Sequence, residues 1–329
     1  MRRRLEARHD SFALHTPFRI SRGVRTATEV VTVTIHQADV IGRGEGVPYP
    51  RYGESVEGVL AAISGVRAAI EAGADREALL ALLPAGAARN AVDCALWDLE
   101  ARQAKCSVAA LLGRPAPEPI ASALTIVIDT PEAMRDAAAR VAHAPLLKVK
   151  VDAVDPAALL RAVRDAAPAP RLIVDPNESW TEAVAAAMRD VLVECRVDLL
   201  EQPAPAGDDC WLAGFDAGVP VCADESVHVA DDLGALAGRY DVVNIKLDKT
   251  GGLTAALVLA REARARGFGL MTGCMVSSSL SIAPAMQVAA LSDFADLDGP
   301  LWLSEDRAGG VRDRGGVLHP PAAGFWGTP

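Results

Sequence analysis

The residues of this 329-residue chain that could do chemistry together are Lys148 and Lys150 in LKVKVD, Asp175 in VDPNESW, Glu201 in LLEQP, Asp224 in CADES, Lys246 in NIKLDKTGG, and Asp296 with Asp298 in FADLDGPLWL. Each closes a short apolar run. Three carboxylates from consecutive runs, with no His or Cys among them, make an oxygen ligand set suited to a hard octahedral cation with positions open for water or substrate, so Mg2+ is favoured over Zn2+. Lysines flank that set in the runs before and after it. A free Lys titrates near about 10.4, and a divalent cation and a second ammonium nearby both disfavour its charged form, so such lysines are expected to carry protons at neutral pH.

Spread over about 150 residues, these groups meet only if the elements bearing them converge. Eight apolar runs recur from residue 122 onward: Ser122 to Ile128, Leu146 to Val151, Arg171 to Asp175, Asp198 to Glu201, Val219 to Ala223, Asp241 to Lys246, Phe268 to Met271 and Phe294 to Asp296. Their spacing of roughly 22 to 27 residues suits one strand, one helix and two loops. Spacing alone allows either a closed parallel barrel or a doubly wound open sheet. The polar run ends decide for the barrel, because all its strand C-termini open onto one mouth. A lone KxK is usually a solvated rim, and DPN or EQP is usually turn chemistry. Recurrence on five consecutive units makes a site.

Ahead of the barrel the pattern is strand-like from Ser11 to about Glu45, with Val30 to Ile35 largely β-branched and Gly42, Gly44 and Gly46 punctuating its end. Helical spacing follows over Ser55 to Ala72 and Ala87 to Lys105, completing an α+β unit that ends near Pro115 to Pro119. Half the residues are hydrophobic and 23% charged, the balance of a globular protein. A net charge of -10 with no basic stripe makes nucleic acid or an anionic membrane an improbable partner. Leu5 to His15 is too polar to continue Arg2 to Arg4 as a signal peptide, and no apolar stretch reaches about 18 residues, so a cytoplasmic location is expected. The six cysteines show no metal or disulfide spacing and read as reduced and mostly buried, with Cys274 near the site.

These motifs, together with GVPYPRYGES (46 to 55) and PAGAARNAVDCALWDLEA (84 to 101), resemble the muconate lactonizing enzyme subgroup of the enolase superfamily over nearly the whole chain. The resemblance implies an α/β fold, a modified TIM (β/α) barrel over 116–303 with an N-terminal α+β capping domain over 1–115 and a C-terminal segment, 304–329, returning to the cap. It implies that Asp175, Glu201 and Asp224 hold one Mg2+ per active site, that Lys150 and Lys246 are the acid/base pair, and that Lys148 helps neutralise an enediolate. Asn177 and Glu225 would support the ligands, and Thr125 and Cys274 would face substrate. Lys249 lies three residues past the expected strand end and takes no catalytic role here. A mandelate racemase-like site would need a late His, and His228 and His319 stand in no matching motif.

Within the subgroup, Asp296 and Asp298 are similar to the DxD of dipeptide epimerases, whose carboxylates receive the dipeptide's N-terminal ammonium. PFRISRGVR (17 to 25) matches too, and Arg22 and Arg25, on cap loops with Tyr49 and Tyr52, would read a side-chain carboxylate. The expected activity is inversion of the C-terminal α-carbon of an Ala-Glu dipeptide in murein peptide metabolism. Departures at Pro176 and over Met271 to Ala285 bear on fine specificity. The alternatives are N-acylamino acid racemisation, o-succinylbenzoate synthesis or cycloisomerisation, against which the DxD argues. A Schiff-base aldolase barrel and a non-catalytic binding barrel are the rivals from other classes. A homo-oligomer stays open.

Overall fold

The computed structural model describes residues 3–21 and 23–328. An antiparallel sheet comes first, ordered β1 (Arg4–Ile20), β2 (Gly23–Gln37) and β3 (Val40–Gly46), and helices α1 (Val56–Glu71), α2 (Arg76–Leu82) and α3 (Ala87–Gln103) bury its apolar face. β1 starts earlier than the sequence suggested: Leu5 is fully buried, and residues 4–13 pair with 36–27 of β2. The polar residues of this stretch are the solvent side of a strand covered on one face.

Gly46 ends β3, as expected, but the three glycines do more than close a strand. They line one face of β3, where a Cβ on Gly42, Gly44 or Gly46 would stand 2.2 Å from the carbonyl oxygen of Ala95, Ala91 or Ala87. Two strand residues advance about 6.6 Å and four helix residues about 6.0 Å. Every second residue of β3 therefore meets every fourth of α3, and only hydrogen fits between the backbones.

Eight parallel strands follow in chain order: Leu124–Ile126, Leu146–Lys150, Arg171–Asp175, Leu199–Glu201, Val221–Ala223, Val242–Ile245, Gly269–Gly273 and Phe294–Asp296. Each falls on one of the apolar runs. The ends of the sheet meet, since the Ala123 N–H donates to Ala295 O and the Leu297 N–H to Ser122 Oγ, both at 2.8 Å. That closure sets the open sheet aside. Connecting helices such as Pro131–Arg140 and Pro156–Ala166 begin on Thr130 and Asp155, whose side chains accept the N–H of Ala133 and Ala158. Such caps contribute about 1 kcal/mol each.

Inside the barrel, Ala123, Leu146, Ile173, Leu199, Cys222, Val242, Met271 and Phe294 form one buried apolar layer, one residue from each strand or its lead-in. Side chains alternate faces along a strand. The next inward position toward the C-terminal mouth is two residues on, giving Thr125, Lys148, Asp175, Glu201, Asp224, Asn244, Gly273 and Asp296. A further step of two gives Lys150, Lys246 and Asp298. The apolar layer is thus the floor on which the polar site stands.

The chain then runs back to the first sheet. The Trp326 indole donates to Arg43 O (3.0 Å) and Cys94 O (3.2 Å), the Gly327 N–H donates to Asp98 Oδ1 (2.7 Å), and Arg307 pairs with buried Glu45 (2.8 Å). All six cysteines are free; Cys94, Cys195 and Cys222 are buried, whereas Cys210 is exposed, because the 3-10 turn carrying it has only Leu212 facing the core. Among the described residues no helix is long and apolar enough to cross a membrane.

Candidate active site

At the mouth the carboxylates and ammonium groups interlock. Lys148 Nζ lies 3.0 Å from Asp175 Oδ2, 2.7 Å from Glu201 Oε2 and 2.8 Å from Asp296 Oδ2. Lys150 Nζ donates to Asp175 Oδ2 at 2.6 Å, and Lys246 Nζ to Asp224 Oδ2 at 2.7 Å. Asp175 and Glu201 are fully buried. Gly273 gives this cluster room: a Cβ there would come within 2.7 Å of Asn244 Oδ1 and 3.0 Å of Lys246 Cε.

Burial opposes every one of these charges, and the sign of each shift shows which side wins. For Lys148 burial is overcome by Asp296, Glu201 and Asp175, which hold its ammonium well above the ordinary lysine range. Lys246 is likewise raised against burial by Asp224. Burial would raise Asp224 and Asp175 as well, but Lys246, Lys249 and Lys148 keep Asp224 low, and Lys150 with Lys148 does the same for Asp175. Glu201 goes the other way, pushed up to about 8 by burial and then by the Asp175 charge, which Lys148 only partly offsets. Without a cation in the cluster, the carboxylates raise Lys148 and Lys246; the lowering expected beside a divalent cation belongs to the loaded site. With carboxylates as nearest neighbours, attraction exceeds the repulsion between ammonium groups.

These carboxylates are not gathered into a ready cage: among the described residues, no three His, Cys, Asp or Glu side chains are placed to hold a metal as they stand. Their oxygens are turned onto ammonium groups instead. The donor chemistry nevertheless fits a hard divalent cation, being three buried carboxylates on adjacent strands, of which Glu201 has its ionised form opposed by burial and by the Asp175 charge, an opposition that a cation would relieve.

A cavity of about 460 Å³ opens over the cluster, and Thr125, Lys148, Lys150, Asp224, Lys246, Asp296 and Asp298 all reach it. Asn177, Glu225, Cys274 and Arg25 also line it, whereas Asp175 and Glu201 lie beneath its surface. Asn177 braces Asp175, donating its N–H to Oδ1 (2.8 Å) and its amide to Oδ2 (3.2 Å). Thr125 donates its N–H to Asp298 Oδ2 at 2.9 Å. Burial and then the charge of Asp296 push Asp298 up to about 6. Burial, ahead of the charges of Asp296 and Asp298, raises the Cys274 thiol well above its ordinary range, so it is a neutral wall. The Arg25 guanidinium lies 4.7 Å over the Tyr49 ring. Arg22 lies outside the described residues.

Three functional residues escaped sequence reasoning. Lys249, set aside as beyond the strand end, is 1% exposed and donates to Asp224 Oδ1 at 2.6 Å and Asn244 O at 3.0 Å. Asn244 donates to Glu201 Oε1 at 2.9 Å; its signal was its place two residues before Lys246, on the same inward face. Gln202 accepts the Asp224 and Ser226 N–H groups at 2.8 and 3.1 Å and has φ of 35, a left-handed backbone that residues with side chains rarely adopt. Nothing in EQP announces that tie.

A capped parallel barrel with acidic groups and lysines facing each other across its C-terminal mouth defines an enolase-like enzyme. Residues 132–325 match the family model described as enolase C-terminal domain-like, and residues 2–113 match the mandelate racemase / muconate lactonizing enzyme N-terminal domain. The chain belongs to that family of the enolase superfamily, as one of its epimerases. It is 49% identical to the L-Ala-D/L-Glu epimerase of Escherichia coli (strain K12), over 94% of this chain and 97% of that one. It is 43% identical to an N-acetyl-D-glutamate racemase of Pseudoalteromonas sp, over 91% and 95%. Among solved structures, an enolase family member from Agrobacterium tumefaciens with homology to dipeptide epimerases, holding sodium and L-Ala-L-Glu, superposes with a TM-score of 0.96 at 48% identity, over 99% of this chain and 100% of that one. A dipeptide epimerase from Enterococcus faecalis V583, complexed with Mg and L-Leu-L-Tyr, superposes at 0.89 with 28% identity, over 98% and 99%.

Proposed function

We propose that this protein is an L-Ala-D/L-Glu epimerase that inverts the α-carbon of the C-terminal residue, in murein peptide metabolism, with one Mg2+ per site. The observation that carries the substrate is Asp296 Oδ1, a buried carboxylate oxygen with no hydrogen-bond partner, in the cavity wall beside Asp298. A buried acceptor left unpaired costs about 1 to 3 kcal/mol, and a substrate ammonium would satisfy it. Arg25, in the same cavity, is the described cation suited to the Glu side-chain carboxylate, and Arg22 is its expected companion.

Asp175, Glu201 and Asp224 would hold the metal, which supplies positive charge for the substrate's α-carboxylate. With Asp175 and Asp224 committed to the metal, Lys150 and Lys246 would be released from these carboxylates to act on substrate. One of these lysines removes the α-proton and the other returns a proton to the opposite face. Lys148, whose ammonium is held by Asp296, Glu201 and Asp175, offsets the charge that develops on the carboxylate oxygens.

The resemblance to an N-acetyl-D-glutamate racemase favours a second reading, in which the substrate keeps the Glu end and lacks the ammonium. A mass-read screen of L,L-dipeptides and N-acetylated amino acids in D2O, with Mg2+ or EDTA, separates the two. Fastest deuterium uptake by L-Ala-L-Glu, lost with EDTA, is the expected result. Faster uptake by N-acetylglutamate would overturn the dipeptide assignment.

A further inference from the structure

Behind Asp298 stands Trp302, the last residue of the 3-10 turn Gly299–Trp302. Its indole N–H donates to Asp298 Oδ2 at 3.2 Å, and the same oxygen accepts the Thr125 N–H at 2.9 Å. The other side of the indole carries the cap. Phe18 meets it edge-on, with ring centroids 4.7 Å apart and planes at 83°, and His15 stacks on it at 5.9 Å. β1 is tied to the same turn, because His15 Nε2 donates to Leu301 O and the Ser304 N–H to Ala13 O, both at 2.8 Å. Phe18 and Asp298 both line the cavity.

We propose that Trp302 is a positioning residue for recognition of the substrate's free ammonium, fixing Asp298 by its indole N–H from behind the cavity wall and bracing Phe18, which lines that end of the cavity. The proposal rests on assigning Asp296 and Asp298 to the ammonium. A carboxylate turns readily about its terminal bond. Two donors on one oxygen hold the plane and leave the second oxygen for another partner. Hydrogen bonds to a carboxylate also favour its ionised form, the form an ammonium requires. An aromatic wall lowers the local dielectric, so an ion pair formed there is stronger than at an open rim. An N-acylated substrate carries no charge at that end and gains nothing from this arrangement. The cap strand that bears Phe18 thereby reports on the ammonium end, while the hairpin it enters bears Arg25.

Trp302→Phe tests this, since it keeps an aromatic ring against Phe18 and His15 and removes the N–H. KM for L-Ala-L-Glu is expected to rise on the order of tenfold with kcat nearly unchanged, and the pH below which KM climbs should move upward. Trp302→His, which restores a ring N–H, should recover part of the loss. In an Asp298→Asn background the same Trp302→Phe change should add at most about twofold, because the charge it serves is gone. An unchanged KM for Trp302→Phe beside a damaging Asp298→Asn sinks the role of Trp302 alone. So does an equal penalty in both backgrounds, which would make the indole simple packing. If Asp298→Asn leaves KM for free dipeptides untouched, the ammonium assignment itself fails.

Discussion

Lys249 and Lys246 divide the carboxylate of Asp224, with Lys249 Nζ 2.6 Å from Oδ1 and Lys246 Nζ 2.7 Å from Oδ2. Lys249 is anchored to Asn244 O as well, and burial lowers its pKa against the pull of Asp224. Breaking a buried pair by removing one partner costs about 3 to 5 kcal/mol. Lys249→Met leaves Asp224 paired with Lys246, so it should lower stability in urea unfolding by less than that amount. Asp175→Asn, Glu201→Gln and Asp224→Asn should abolish turnover and Mg2+ binding with the circular dichroism of the native fold. Native stability in Lys249→Met would show that Asp224 does not need its second ammonium.

The two lysines that face substrate should separate by stereochemistry. In D2O, Lys150→Ala is expected to exchange the α-proton of one epimer and Lys246→Ala that of the other, while neither variant epimerises. Proton NMR of L-Ala-L-Glu and L-Ala-D-Glu reads this directly. Exchange of the same epimer by both variants would disprove their placement on opposite faces.

Asp298 sets an acid limit on binding. Burial and the Asp296 charge raise it from the ordinary 3.8 to about 6, so the fold favours its neutral form. Its stabilising contribution is full below about 3.8 and is lost as pH rises through about 6. Ammonium binding runs in the opposite sense, because it requires the carboxylate. KM for L-Ala-L-Glu should thus climb as pH falls below about 6, approaching tenfold per unit, with kcat less affected. A KM that stays flat from about pH 7 to about pH 5 would remove Asp298 from ammonium recognition.

Charge complementarity at the other end gives the specificity test. Arg25→Ala or Arg22→Ala should raise KM for Glu-ended dipeptides at least about tenfold more than for Ala-ended ones, as loss of a buried charged partner costs about 2 to 5 kcal/mol. N-acetylation of the dipeptide should abolish turnover. Equal weakening of both dipeptide classes would mean that the arginines only support the cap.

What the sequence determined by itself was local. A strand alternates faces, so an apolar floor residue and a polar mouth residue two places on appear together in one short motif. Leu146 with Lys148, Ile173 with Asp175, Leu199 with Glu201 and Cys222 with Asp224 were legible in this way, and their polar ends on consecutive runs decided for the barrel. What needed the tertiary structure was every property set by a partner far along the chain. Lys148 meets Asp296 across 148 residues, and that contact, more than any feature near Lys148, helps to raise its pKa in the cation-free cluster. Gly42, Gly44 and Gly46 look like turn residues until α3 is laid against them. Lys249 looks misplaced along the strand until the short helix Leu247–Thr250 turns its ammonium back onto Asp224. Trp302 joins Asp298 to a cap strand nearly 300 residues away in sequence. Periodicity decides which face a residue occupies, but the charge, bonding and space it meets there depend on elements that reach it only through the closed barrel and its cap.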